Sequence, residues 1–163
     1  MAKRRKKKIE RIIQLSSGPL PARLAGHHTG CRLLFSDASL QRHGGLAAVL
    51  FADAESEPLV ATRSVPATGS NELELQAALF ALELANRHYP EQPVTLFSDN
   101  SDAITRLGRA KQLGMAQDET LVAMFAGQDI EALLRHARLC WVQGHGRCRG
   151  NALADAHARV AAA

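Results

Sequence analysis

Three cysteines in 163 residues, none in a CxxC pair, leave this chain little material for cross-linking. An odd, sparse set (Cys31, Cys140, Cys148) argues against a secreted disulfide scaffold and for a reducing cytosol, so a cytoplasmic location is expected. His27, His28 and Cys31, or His145 and Cys148, fall short of four zinc ligands at standard spacing. No apolar run approaches the ~18 residues of a membrane-spanning helix, and no membrane partner is expected. The chain has no P-loop, no Rossmann glycine fingerprint and no serine in a nucleophile elbow, which removes the common motif routes to those chemistries. What it has is ordinary globular usage, 46% hydrophobic and 22% charged residues. That excludes wholesale disorder and suits one domain with its own core.

The net charge of +4 is unevenly spread. Residues 1–11 hold seven basic residues (Lys3, Arg4, Arg5, Lys6, Lys7, Lys8, Arg11) against Glu10, a balance of +6, so the remainder carries −2. A mildly acidic body behind a strongly basic block points to a polyanion partner, because neutralising phosphates with Lys and Arg drives binding. A solvated terminus that only aids solubility is the alternative. The stretch after the block, IERIIQL, is interrupted by Glu10, Arg11 and Gln14, so it does not read as a secretory signal. Residues 16–30, rich in Ser, Gly and Pro, read as a linker. The expected organisation is a flexible tail and linker over 1–30 and one folded domain over 31–163.

Patterning predicts a strand running into a turn over 32–39 and strands at 45–52 and 58–65, close enough together to form an antiparallel meander. Leu75, Ala78, Leu79, Leu82 and Ala85 recur at helical spacing and predict a long amphipathic helix over 71–88, ended by Pro90 and Pro93. A short strand (94–99), a helix (102–110), a second helix (118–136, with a break possible at Gly127), a strand (138–142), a glycine-rich loop (143–150) and a closing helix (151–161) follow. Trp141 is expected to pack into the core at the end of the last strand. The order predicts an α/β fold: a five-stranded mixed sheet, three antiparallel strands followed by two that alternate with helices, with helices on its faces.

Four acids fall where a sheet protein gathers a site: Asp37 after the first strand, Glu74 in the first turn of the long helix, Asp99 at the end of the fourth strand, and Asp155 in the last helix. Each also has a local reading. Asp37 could close a turn on its own backbone, Asn71 and Glu74 could form a capping box, Asp99 could cap the next helix, and Asp155 could be a surface residue favoured by the helix macrodipole.

Taken together, these residues carry a resemblance. FSDAS (35–39), SNELELQAALFALELA (70–85), LFSDNSDAI (96–104) and WVQGHGRCRGNALAD (141–155) resemble, in order, four blocks of the type 1 branch of ribonuclease H, over about residues 32–161. The last block is the most specific, since His145, Asn151 and Asp155 keep the family's spacing. The resemblance implies a ribonuclease H-like fold and an endonuclease that cuts the RNA strand of RNA–DNA hybrids, leaving a 3′-hydroxyl and a 5′-phosphate. It also implies two Mg²⁺ ions, with Mn²⁺ as the alternative. Asp37 would bridge both ions, Asp155 would complete the nucleophile side, and Glu74 and Asp99 the leaving-group side. His145 would relay a proton or help release product, with an exposed or helix-capping histidine as its local alternative. Ser39, Asn71 and Asn151 would contact substrate. The chemistry agrees independently: converging carboxylates repel unless cations neutralise them, and hard oxygen ligands suit Mg²⁺ or Mn²⁺.

The chain also departs from the family. The loop after Asp37 is short, Ala38 stands where glycine is common, and Asn100 where serine is usual. Residues 108–117 are too few for the extra basic helix that many members use to grip the hybrid, leaving Arg106, Arg109 and Lys111 nearby. The basic block Lys3, Arg4, Arg5, Lys6, Lys7 and Lys8 is expected to substitute for that grip. The expected partner is an RNA–DNA hybrid, and the expected state a monomer with no obligate protein partner. The competing readings are an idle hybrid- or RNA-binding module of the same fold, or a superfamily nuclease acting on DNA.

Overall fold

The structure, a computed structural model, describes residues 14–163. The basic block Lys3–Lys8 lies outside the described residues.

A short helix, α1 (Ala22–Ala25), and a 3₁₀ turn (Gly26–His28) precede the strands β1 (Leu33–Leu40), β2 (Gly44–Phe51) and β3 (Leu59–Val65). Next come the long helix α2 (Ser70–His88), β4 (Val94–Ser98) and α3 (Ser101–Leu113). Two short helices, α4 (Glu119–Met124) and α5 (Ile130–Arg135), lead into β5 (Ala137–Trp141), and α6 (Arg149–Ala162) closes the chain. The sheet order is β3-β2-β1-β4-β5. β1 pairs antiparallel with β2 and parallel with β4; β2–β3 is antiparallel and β4–β5 parallel. This is the expected five-stranded mixed sheet.

Helices cover both faces of the central strands, which is why every residue of β2 is buried. The expected stripe of α2 is buried, and Leu73, Ala77, Phe80, Ala81 and Leu84 are buried with it, in a core that also takes in α3, α4 and α5. On the other face Leu33, Phe35, Phe97 and Val142 form a second cluster with Ala154 of α6. Here two glycines permit close approach. A Cβ on Gly45 would stand 2.0 Å from the Ala158 carbonyl, and one on Gly150 would stand 2.3 Å from the Phe35 ring. α6 is therefore seated almost on the backbone of β2.

The predicted helix over 118–136 is two six-residue helices. Gly127 takes φ +84°, and Asp118 and Asp129 each accept a hydrogen bond from a backbone N–H in the first turn that follows, at 3.1 Å. With a left-handed glycine and a second N-cap inside the stretch, two helices replace one.

Residues 16–30, read above as a linker, lie against the body. Leu20 is buried in the second cluster, and the edge of the His28 ring meets Phe97 at 5.0 Å between centroids. Pro19 and Pro21 hide the packing from any periodicity argument, because they fix an extended path on which the buried residues, Pro19 and Leu20, are adjacent and follow no helix or strand period. Trp141 is corrected in the opposite direction. It is 54% exposed rather than core, because it ends β5 at the sheet's edge.

Candidate active site

The register of the parallel pair builds the site. Phe35 of β1 lies beside Phe97 of β4, so Asp37 and Asp99, each two residues further on, reach the same end of the sheet. Asp37 is 4% exposed and Asp99 partly buried. Glu74 joins them from the first turns of α2. The helix begins two residues earlier than a capping box on Asn71 would require: Gly69 is the N-cap and makes no side-chain cap. Glu74 is thereby free of any capping duty. Carboxylate oxygens of Asp37, Glu74 and Asp99 lie within 4.8 Å of one another.

Asp99 does not cap α3 either. Asn100 does, its Oδ1 accepting from the Ala103 N–H at 2.8 Å, while its Nδ2 donates to Asn71 Oδ1 at 3.4 Å. Asp99 is held instead from β5 and α6. Trp141 Nε1 donates to its backbone carbonyl at 3.0 Å, and Asn151 Nδ2 donates to Oδ2 at 3.3 Å. Gly144 leaves room for the carboxylate, since a Cβ there would lie 3.1 Å from Oδ2.

Asp155 stands apart from the three. Its carboxylate pairs with Arg159 one turn along α6, Nε to Oδ2 at 3.2 Å, although its charge still reaches Asp37 and Glu74. Burial, then the charges of Glu74 and Asp99, raise Asp37 to about 9. Glu74 is raised to about 7, first by burial and then by Asp99, with hydrogen bonds from Asp37 and the Ala38 N–H opposing the shift. These are carboxyls that resist ionising together.

The other sequence candidates are spread around this centre. Asn151 is buried and turned to Asp99 rather than to solvent. Asn71 is exposed in the first turn of α2. Ser39, two residues past Asp37, takes a 3.4 Å hydrogen bond from Gln41. His145 is exposed between two glycines with φ +54°, a left-handed backbone uncommon outside glycine. Arg159 and the Trp141 indole were missed by sequence reasoning. The Asp-to-Arg spacing of four on a helix was the available signal for Arg159; nothing local signalled the indole.

A divalent cation fits this arrangement. Glu74 Oε2 is buried with no hydrogen-bond partner, beside two further carboxylates. Among the described residues this is the one grouping of three such side chains; neither His27, His28 and Cys31 nor His145 and Cys148 forms another.

Residues 31–163 match the RNase H family, most of the chain. The chain belongs to the RNase H family. It is thus a ribonuclease H hydrolase by family, and the type 1 branch agrees with its structural neighbours. The RNase H1 of the halophilic archaeon Halobacterium salinarum has a TM-score of 0.61 at 16% identity, over 81% of this chain and 97% of that one. The N-terminal RNase H domain of a Mycobacterium tuberculosis protein, solved as a fusion with maltose-binding protein, gives 0.61 at 17%, over 82% and 94%. LC11-RNase H1, solved with an RNA/DNA hybrid, gives 0.58 at 17%, over 77% and 92%. At these identities the likeness establishes the RNase H fold. No curated protein sequence matches the chain. The family match begins at residue 31, so the docked segment before it lies outside the match.

Proposed function

We propose that this RNase H hydrolyses the RNA strand of RNA–DNA hybrids as a metal-dependent endonuclease, leaving a 3′-hydroxyl and a 5′-phosphate. One observation carries the proposal: within a family-matched chain, three carboxylates converge around a buried, unpartnered Glu74 oxygen. Asp37, Glu74, Asp99 and Asp155 would hold the metal. Two bound ions, Mg²⁺ or Mn²⁺, would supply activation of a water and stabilisation of the leaving oxygen in an in-line displacement.

The chain's own residues have separate tasks. Asn151 and Trp141 orient Asp99 from two sides, so its carboxylate meets the substrate phosphate already aimed. Asp155 exchanges its Arg159 partner for the site's charge. Asn71 and Ser39, at the mouth, offer short polar groups to the RNA 2′-hydroxyl, the atom that separates RNA from DNA. His145, exposed on its loop, can carry a proton between the site and solvent at its imidazole. The location in the cell is proposed to be the cytoplasm. No helix among the described residues is long and apolar enough to cross a membrane.

The test is direct. Purified protein is incubated with labelled hybrid, double-stranded RNA and double-stranded DNA in Mg²⁺, Mn²⁺ or EDTA. Cleavage confined to the RNA strand of the hybrid and abolished by EDTA is expected; cutting of DNA alone would move the chain to another superfamily activity. Asp99→Asn should lower cleavage at least ~10³-fold while hybrid binding in Mg²⁺ is kept. Persisting cleavage would remove Asp99 from the site.

A further inference from the structure

We infer that Ser16 and Pro19, outside the residues matched to the family, position the catalytic loop and the start of α6. This rests on the proposed hydrolysis.

A helix leaves its first backbone N–H groups without intrahelical partners. Cys148, the N-cap of α6, makes no side-chain cap. The donors are met from the far end of the chain. The Arg149 N–H donates to Ser16 Oγ at 3.2 Å and the Gly150 N–H to the Pro19 carbonyl at 2.9 Å. Two more contacts tie the loop and the first residue of α6 to the same segment: the Ser16 N–H donates to the Arg147 carbonyl at 2.8 Å, and Arg149 Nε to the Ser16 carbonyl at 2.7 Å. The Cys148 thiol also donates to the Pro19 carbonyl, at 3.3 Å. Leu20, 4% exposed, anchors the segment in the core beside Phe35, Phe97 and Val142.

The clamp sits where placement matters. The loop leaves β5 with the Val142 N–H on the Ser98 carbonyl, next to Asp99, and is gripped again at Arg147. Between those two points lie Gly144, which makes room for Asp99, and His145 with its left-handed backbone. Beyond the clamp, α6 carries Asn151, which holds Asp99, and then Asp155. Beneath the loop is a hollow of about 330 Å³, bordered by Pro21, Arg23 and Leu24 on one side and Gln143, Gly146 and Arg147 on the other. With this space open beside Gln143, Gly146 and Arg147, the loop takes much of its position from its two ends. Ser16 thus acts through Arg147 and Arg149 and touches no reacting atom.

The experiment uses the full chain with Ser16→Ala and Ser16→Thr, assayed on hybrid in Mg²⁺ well below each variant's Tm, with backbone amide exchange over 143–151. Ser16→Ala should lower kcat three- to tenfold with KM within twofold, and speed exchange at Arg149 and Gly150. Ser16→Thr, which keeps the hydroxyl, should restore both. A purely stabilising segment would lower Tm and leave kcat untouched, which would overturn the inference, as would unchanged exchange in Ser16→Ala. If the unaltered chain fails to cut hybrid, the proposed function fails, and the exchange comparison still decides whether Ser16 holds the loop.

Discussion

Burial and mutual repulsion favour the protonated forms of Asp37 and Glu74 in the folded, metal-free chain. Unfolded, both carboxyls titrate near 4. Across the pH range between those values the folded state therefore holds more protons than the unfolded state, and stability falls as pH rises. In EDTA, Tm should drop steadily from about pH 5 to pH 9 through these groups. Asp37→Asn, which cannot ionise, should flatten that slope and raise Tm at pH 8 by ~3 °C or more, about 1 kcal/mol for a chain of this size. Thermal melts at several pH values check it, and an Asn variant with the unaltered slope would contradict it. At this scale the meeting of Asp37, Glu74 and Asp99 was legible, because they fall toward the end of β1, in the first turns of α2 and just past β4, although Asp37 proves to lie inside β1 rather than after it. Their neighbours were not. That Asn100 rather than Asp99 caps α3, and that Asp155 turns to Arg159, depend on distances fixed by packing.

The elements that bury a stripe announced themselves. α2 follows from apolar residues at helical spacing, and β4 from a short run between Pro93 and Asp99. Over 118–136 the stripe continues across the point where the chain turns, so only Gly127 and the two capping aspartates marked the division. The seating of α6 was illegible for another reason. A glycine in a glycine-rich loop looks like turn chemistry, yet Gly150 is a contact point. Its missing Cβ admits the Phe35 ring, itself stacked on Phe97 at 5.0 Å between centroids and without room to retreat. Gly150→Ala should therefore destabilise by about 1–3 kcal/mol through overpacking, despite alanine's helix propensity. By shifting Asn151 and Asp155 it should lower kcat more than it raises KM. Urea unfolding with steady-state kinetics tests both parts; an unchanged kcat would show that α6 absorbs the methyl without moving its acids.

At the scale of the whole molecule, the fold gathers carboxylates at one end of the sheet and must still hold a polyanion against them. Few cations near α3 are free to help. Arg106, one of three left beside the missing basic helix, is engaged by both oxygens of Asp118 at 3.0–3.1 Å. The sequence places seven Lys or Arg in residues 1–11, ahead of a segment whose Ser16 is bound to the catalytic loop at Arg147. That docking was invisible in a Ser-, Gly- and Pro-rich stretch, because two adjacent buried residues, Pro19 and Leu20, carry no period. A basic block joined in sequence to a segment docked beside the site would neutralise phosphates of the same hybrid. Each neutralised phosphate contributes a slope of about −0.9 to log affinity against log salt. Deleting residues 1–13, which keeps Ser16 and the clamp, should lessen that slope by about 3–6 and weaken binding at low salt at least tenfold. The value of kcat at saturating hybrid should stay the same, since every proposed metal ligand remains. Binding titrations at several salt concentrations, paired with single-turnover cleavage, separate the two effects. A slope that does not change would leave the grip to the body, whose net charge beyond residue 11 is −2 and ill suited to it.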